Sequence, residues 1–483
     1  MKILVLQLAR FGDIYQTWPA LKSLRRSYPE ATIDLLVRDR FEAATRGLDA
    51  ISTARVFPVK QILKPIWDSD DGLDDSLRLI ENCLSELVAQ SYDLVINLSF
   101  SPLSSYVTRR VSGGDPQRVV GYTRHSDGFF DVPDDTSSYF YSQVGANSYN
   151  RVHVIDMFAG VCGVELIPED FQSEVMPSQS LDYPDAIVVH VAASEASKSM
   201  TQQSLISLVQ GLTDRRSNPV VLVGGPEDET VGSSVQGAVS SPHLINLVGE
   251  IPLEDHFSLI KNSALLIAPD SVMVHMASLV STKTLNVTFP SVNFWETGPL
   301  ASGSRALWYR SPDEVDVQQI IDQATTMLEG QPAIQPVILR EDNGLSRFQL
   351  RGFRLDDYAW QLTQALYVGA PFPASKRSEI ALGIQRIFEA CELAQQQLEQ
   401  VRQNPQKGTA LDILLEADEI FHQVARFVPE VRPLVNWFLT QKVRISPAEL
   451  QTVFDQTAKT YDELALVCRA LLAEENKSKD YFL

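Results

Sequence analysis

The chain has 483 residues, with 61 Asp and Glu against 41 Lys and Arg and a formal net charge of −20. That length exceeds one ordinary core and predicts two domains plus an appendage. The acidic balance argues against a nucleic-acid partner, whose binding rests on clustered Lys and Arg, and against general attraction to anionic lipid. The four cysteines, Cys83, Cys162, Cys391 and Cys468, are scattered without a CxxC pair. Neither a metal site nor a disulfide framework is therefore expected, and a reducing cytosol fits best. The sequence opens on a strand rather than a signal peptide, and no apolar window reaches bilayer-spanning length.

Ile3-Leu4-Val5 reads as a buried strand that runs into Ala9-Arg10-Phe11-Gly12-Asp13 and then a helix over Tyr15–Tyr28. Ligands of open α/β sheets gather beyond the carboxyl ends of the strands. Asp13 is placed there to take a proton from a substrate hydroxyl. On position alone, a plain helix cap starting near Ile14 is the better reading. Ile33–Val37, a helix from Phe41, a helical stretch Leu73–Gln90 and a buried strand Tyr92–Leu98 follow. This alternation predicts a parallel sheet covered by helices on both faces.

Residues 167–184 are rich in Pro, Ser, Glu and Asp and read as a linker. The strand pattern then restarts at Ala186–Val191, Pro219–Val223, Leu265–Ile267 and Lys283–Val287. From residue 376 to 401, again over 411–428, and along Leu450–Leu471, apolar residues recur in steps of three and four. That spacing specifies a small antiparallel helical bundle, with breaks at Pro405-Gln406-Lys407-Gly408 and Ser446-Pro447. The expected organisation is one Rossmann-like lobe over 1–170, a second over 185–330, and a helical appendage over 345–483.

Three segments of the second lobe fall where strands deliver residues to a cleft. In His190–Ser199, Lys198 offers a mobile positive charge suited to phosphate, although a lone Lys before a helix is usually only solvated. At Gly224-Gly225-Pro226-Glu227, Gly224 and Gly225 permit close backbone approach and Glu227 could accept from a ribose hydroxyl; an ordinary acidic turn is an equal alternative. Asp270 ends a strand, Ser271 can cap the following helix, and the free N–H groups of that helix suit a pyrophosphate. His275, one turn on, faces either cleft or core. Asp68-Ser69-Asp70, the one Asp-x-Asp pattern considered for a metal, sits in an acidic stretch before a helix and reads as a solvated loop.

Taken in order, these segments resemble glycosyltransferase family 9, the lipopolysaccharide heptosyltransferases, over roughly residues 1–330. The resemblance rests on Phe11-Gly12-Asp13, Thr17-Trp18-Pro19-Ala20-Leu21, Tyr28-Pro29-Glu30-Ala31-Thr32-Ile33-Asp34, Tyr92–Leu98, Arg118–Tyr122, the Lys198 loop, Gly224-Gly225-Pro226 and Asp270-Ser271-x-x-x-His275. It implies a GT-B fold, with an acceptor lobe first and a nucleotide-sugar lobe second. It further implies an inverting, metal-independent transfer with Asp13 as general base, and Lys198 and the helix after Asp270 steadying the donor phosphates. Heptose and an adenine nucleotide come from the resemblance alone. Val272 stands where the family has Gly, and Ala9-Arg10-Phe11 where a Ser or Thr often precedes Gly-Asp; Arg10 either lends positive charge to the cleft or is merely solvated.

The first expectation is thus a cytoplasmic sugar transferase, peripheral at the inner face of a bacterial membrane, acting on a glycan or glycolipid acceptor without a cofactor. The alternative is a catalytically degenerate nucleotide-sugar-binding or scaffold protein that uses the helical bundle for self-association or a protein partner.

Overall fold

The computed structural model describes residues 1–145, 149–173, 175, 181, 183–341, 346–375, 377–403 and 410–480, the last helices without the side chains of 410–413 and 475–480. The expected break at Pro405–Gly408 and much of the expected linker lie outside the described residues.

The first sheet is fully parallel and contains β1 (Lys2–Leu6), β2 (Thr32–Arg38), β3 (Thr53–Phe57), β4 (Leu94–Asn97) and β5 (Val119–Gly121) in the order β3-β2-β1-β4-β5. Its central strands are apolar on both faces because helices cover both, as parallel sheets require. A short hairpin of β6 (Thr123–Arg124) and β7 (Phe130–Asp131) follows at the carboxyl end of β5.

The second sheet contains β8 (Ile187–His190), β9 (Val220–Val223), β10 (Leu244–Asn246), β11 (Leu265–Pro269), β12 (Thr284–Thr288), β13 (Arg305–Trp308), β14 (Val337–Arg340) and β15 (Phe348–Arg351). Their order is β10-β9-β8-β11-β12-β13-β14-β15, with the last two antiparallel. This sheet therefore runs past residue 330, the expected end of the lobe. The chain first becomes purely helical at Tyr358.

Two local expectations are corrected. The first helix spans Phe11–Ser27, so Asp13 sits inside its first turn and not ahead of it. The segment from Phe41 forms only a short 3₁₀ turn, Asp39–Thr45, which ends just before Gly47 at φ +83°. A left-handed glycine does not continue a helix.

The lobes share one apolar core. Tyr15 and Trp18 of the first helix pack on Phe257 of the second lobe at ring separations of 5.3 and 5.9 Å. Buried Met273, Val274 and Ala277 join the same cluster.

Helices Tyr358–Val368, Ser378–Gln403, Ala410–Phe427, Arg432–Val443 and Leu450–Asp480 form the appendage around Ile384, Ile387, Phe421, Phe438 and Tyr461. It is bolted to the first lobe's helix Asp135–Gln143. Asn436 donates to the Ser142 carbonyl at 2.9 Å, Gln143 donates to the Pro433 carbonyl at 3.1 Å, and Arg444 pairs with Asp135 at 2.8 Å. No helix among the described residues is long and apolar enough to cross a membrane.

Candidate active site between the lobes

The first sheet ends in the turn Gln7–Arg10, and the N-terminus of helix Phe11–Ser27 faces the second lobe. Asp13 Oδ2 accepts the Arg10 backbone N–H at 3.0 Å, which fixes the carboxylate and satisfies one donor of the helix start. Burial pushes the Asp13 pKa above its usual 3.8; the Arg10 backbone and guanidinium pull it down, and Asp270 across the cleft pushes it up again. The cap bond uses Oδ2, so the cap and the base are compatible roles for one carboxylate.

Gly12 is the contact point between lobes. A β-carbon there would stand 2.9 Å from Cδ2 and 3.3 Å from Nε2 of His275. His275 is buried, and burial lowers its pKa to about 4, so the ring is neutral at pH 7. Arg10 closes the rim, donating to Ser194 Oγ at 3.4 Å and lying 3.6 Å from Glu195.

On the donor side, Lys198 Nζ lies 3.5 Å from Asp270 Oδ2, and Thr297 Oγ1 donates to Asp270 Oδ1 at 2.8 Å. Asp270 therefore anchors Lys198 at the N-terminus of helix Val272–Leu279. The expected Ser271 cap is not made: Ser271 occupies the cap position without a side-chain bond, and its Oγ is buried with no hydrogen-bond partner among the described residues. A buried hydroxyl without a partner is costly; a ligand oxygen at this helix start would relieve it. Val272 packs against the shared apolar core, which accommodates the departure from Gly.

At the second turn, the Gly225 N–H donates to Asp228 at 3.0 Å, and a β-carbon on Gly225 would lie 2.6 Å from Glu227 Oε2. Glu227 thus folds over the turn, exposed to solvent. Gly224 is shut in by Asp228 and Val191. Asp68 ends helix Val59–Asp68 and pairs with Lys64 at 2.6 Å, away from any strand end.

Sequence reasoning passed over Arg38, which ends β2, donates to the Ala9 carbonyl at 3.4 Å and lies over Phe41. Its position at a strand's carboxyl end was the available signal. It also passed over Ser99, which accepts the Leu8 N–H and holds the turn before Asp13.

Residues 81–320 match the model of glycosyltransferase family 9 (heptosyltransferase). The two-lobed part of this chain belongs to glycosyltransferase family 9. Lipopolysaccharide heptosyltransferase 3 of Escherichia coli is 21% identical over 294 residues, which are 57% of this chain and 80% of that one. Among solved structures, the family 9 glycosyl transferase of Veillonella parvula superposes with a TM-score of 0.52 at 16% identity over 68% of this chain and 97% of its own. E. coli ADP-heptose heptosyltransferase II gives 0.50 at 18% identity over 68% and 99%. E. coli heptosyltransferase WaaC with ADP gives 0.51 at 15% identity over 68% and 100%. The fold is GT-B, and this family 9 protein is a glycosyltransferase whose C-terminal helical appendage lies outside the matched residues.

Proposed function

We infer that the protein moves a heptose-like sugar from a nucleoside diphosphate to a hydroxyl of a lipid-linked or surface-glycan acceptor, with inversion and without a metal. Asp13 removes the acceptor proton as that oxygen attacks the sugar's anomeric carbon. The bond from that carbon to the diphosphate breaks on the opposite face. Lys198 and the amide N–H groups at the start of helix Val272–Leu279 take up the charge of the leaving diphosphate. Fixed donors aimed at developing charge are the largest single source of such catalysis. Ser271 Oγ adds a further donor. His275, neutral and packed on Gly12, holds the lobes in register.

The observation that carries this reading is the apposition of two half-sites: a half-buried, raised-pKa carboxylate on one helix start, and on the other a Lys198–Asp270 pair with a Ser271 hydroxyl that has no partner among the described residues. An ADP-linked donor is favoured because WaaC carries ADP on this fold. The acceptor stands at the inner face of a bacterial membrane, reached peripherally. The bundle's firm attachment to the first lobe makes it a fixed extension, available to a second copy or a protein partner.

The test is a metal-free thermal-shift screen of ADP, UDP, GDP and CMP on wild type and Lys198→Ala. A ligand held only by the folded state at a hundred times its Kd adds about 2.7 kcal/mol. A shift with one nucleotide, lost in Lys198→Ala, supports the transferase. No shift with any of them points to the scaffold reading.

A further inference from the structure

A line of rings runs along the carboxyl edge of the first sheet, beside the turn that carries Asp13. Tyr106 lies under the Arg124 guanidinium at 3.6 Å, and Arg124 stands directly opposite Phe130 in the β6–β7 hairpin. Opposed residues of an antiparallel pair share a face. Phe130 meets Tyr141 at 5.3 Å, Tyr141 stacks on Tyr122 at 5.8 Å, Tyr122 on Phe100 at 5.6 Å, and Phe100 on Phe140 at 4.3 Å. Tyr122 is buried and Phe100, Phe130 and Phe140 are half-buried, whereas Tyr106 is 57% and Tyr141 38% exposed.

Two features separate this strip from ordinary packing. Phe100 holds φ +44°, a left-handed conformation that disfavours a side chain of its size. Its stacked neighbours sustain it. A chain of hydrogen bonds also ties the strip to the proposed base. Asn97 Nδ2 donates to the Tyr122 carbonyl at 2.6 Å, and its Oδ1 accepts the Ser99 N–H at 3.0 Å. Ser99 Oγ accepts the Leu8 N–H and donates to Gln7 at 3.4 Å; Gln7 donates to Thr17 at 3.2 Å, and Thr17 to the Asp13 carbonyl at 2.8 Å.

We propose that this aromatic strip is an acceptor subsite, on which an uncharged sugar ring of the acceptor stacks while its neighbouring hydroxyl reaches Asp13. This rests on the transferase reading and names where its acceptor lies. Exposed tyrosines join an apolar face to a hydroxyl, which matches a saccharide, with C–H groups on one side and hydroxyls at its rim. Arg124 is already engaged by Ser105 at 2.9 Å, by the Gly128 carbonyl and by Tyr106. Asp127 in the hairpin turn is exposed, while Asp131 faces His125 and Asp135 is paired with Arg444, so the strip offers no free positive charge to an anionic sugar or an anionic lipid surface among these residues. The bundle, clamped to helix Asp135–Gln143, backs the segment that supplies Phe140 and Tyr141.

The experiment is saturation-transfer NMR from the full-length protein to a lipid-free core oligosaccharide, released from lipopolysaccharide by mild acid and held at millimolar concentration. The proteins are wild type, Tyr141→Ala, Tyr106→Ala and Phe129→Ala. Phe129 lies in the turn ahead of β7, exposed and outside the line of rings, so it is the control. Saturation of ring C–H protons is expected in wild type and in the control, with a threefold or larger loss in the other two. Equal signals in all four, a matching loss in Phe129→Ala, or no transfer in wild type overturns the proposal. Tyr141-dependent binding to neutral phospholipid vesicles without saccharide saturation also overturns it. ADP thermal shifts on the same samples stand apart: absent shifts sink the transferase reading, whereas normal shifts with flat saccharide signals sink only the subsite.

Discussion

The α-carbon of Gly12 lies against the imidazole of His275, so that a β-carbon on it would come within 2.9 Å of the ring. Glycine is required here for close approach of two lobes rather than for backbone freedom. Gly12→Ala is expected to cost about 1–3 kcal/mol through overpacking and to lower kcat/KM at least tenfold by shifting the helix start that carries Asp13. His275→Ala, which removes the obstructing ring, is expected to restore part of the loss in the double variant. Additive losses, measured by turnover and thermal melting, would show that the contact is not the cause.

Asp13 sets the acid limb of the reaction. Its carboxyl is held above the usual range by burial, then by Asp270, so kcat/KM should rise with pH through a value above 3.8. Stability runs the other way. A raised folded-state pKa contributes stability that is complete below about pH 3.8 and is lost as pH rises through the folded value. Asp13→Asn is therefore expected to melt higher than wild type at pH 7 and level with it near pH 3.5. A lower melting point at pH 7 would show that the carboxylate is a net structural asset.

The buried histidines predict an acid-labile fold. Burial lowers His275 to about 4, and His153 and His190 to about 3, from an ordinary 6.5. A lowered histidine contributes stability above the unfolded value near 6.5, and that contribution falls away as pH drops towards the folded values. The melting temperature should decline between pH 6.5 and 4. His190→Gln should flatten the decline, because its Nδ1 has no hydrogen-bond partner among the described residues to lose. An unchanged slope would remove His190 from the account.

Lys198 and Asp270 form a pair that nucleotide phosphates would share. Lys198→Ala removes one charge-assisted donor, worth about 1.5–3 kcal/mol, so nucleotide Kd should rise roughly ten- to hundredfold. Isothermal titration reads this directly. Asp270→Asn should weaken binding less, since the amide still accepts from Thr297 and leaves the lysine in place.

Much of the fold was legible because apolar runs such as Ile3–Val5, Ile187–Val189 and Leu265–Ile267 can only be buried parallel strands. β13 was not, because it begins with Arg305, a charge that Gln323, Thr326 and the Gln331 carbonyl satisfy inside the protein. β3 was hidden likewise: Arg55 interrupts it, and Asp34 of β2 neutralises that charge at 2.7 Å. At the site, the residue types could be read one segment at a time. Their pairings could not. Nothing in the sequence joins Lys198 to Asp270, or Gly12 to His275, across 72 and 263 positions respectively. Ser271 was read as a cap because serine often is one; the structure instead leaves its hydroxyl buried and without a partner among the described residues.

The most direct measurement is ADP release from ADP-heptose with the released core oligosaccharide as acceptor, comparing wild type with Asp13→Asn at matched ADP affinity. The account predicts turnover in wild type and a loss of at least a hundredfold in Asp13→Asn, with ADP binding unchanged. Asp13→Asn turning over at the wild-type rate would contradict it, and so would a loss of turnover fully explained by lost ADP binding.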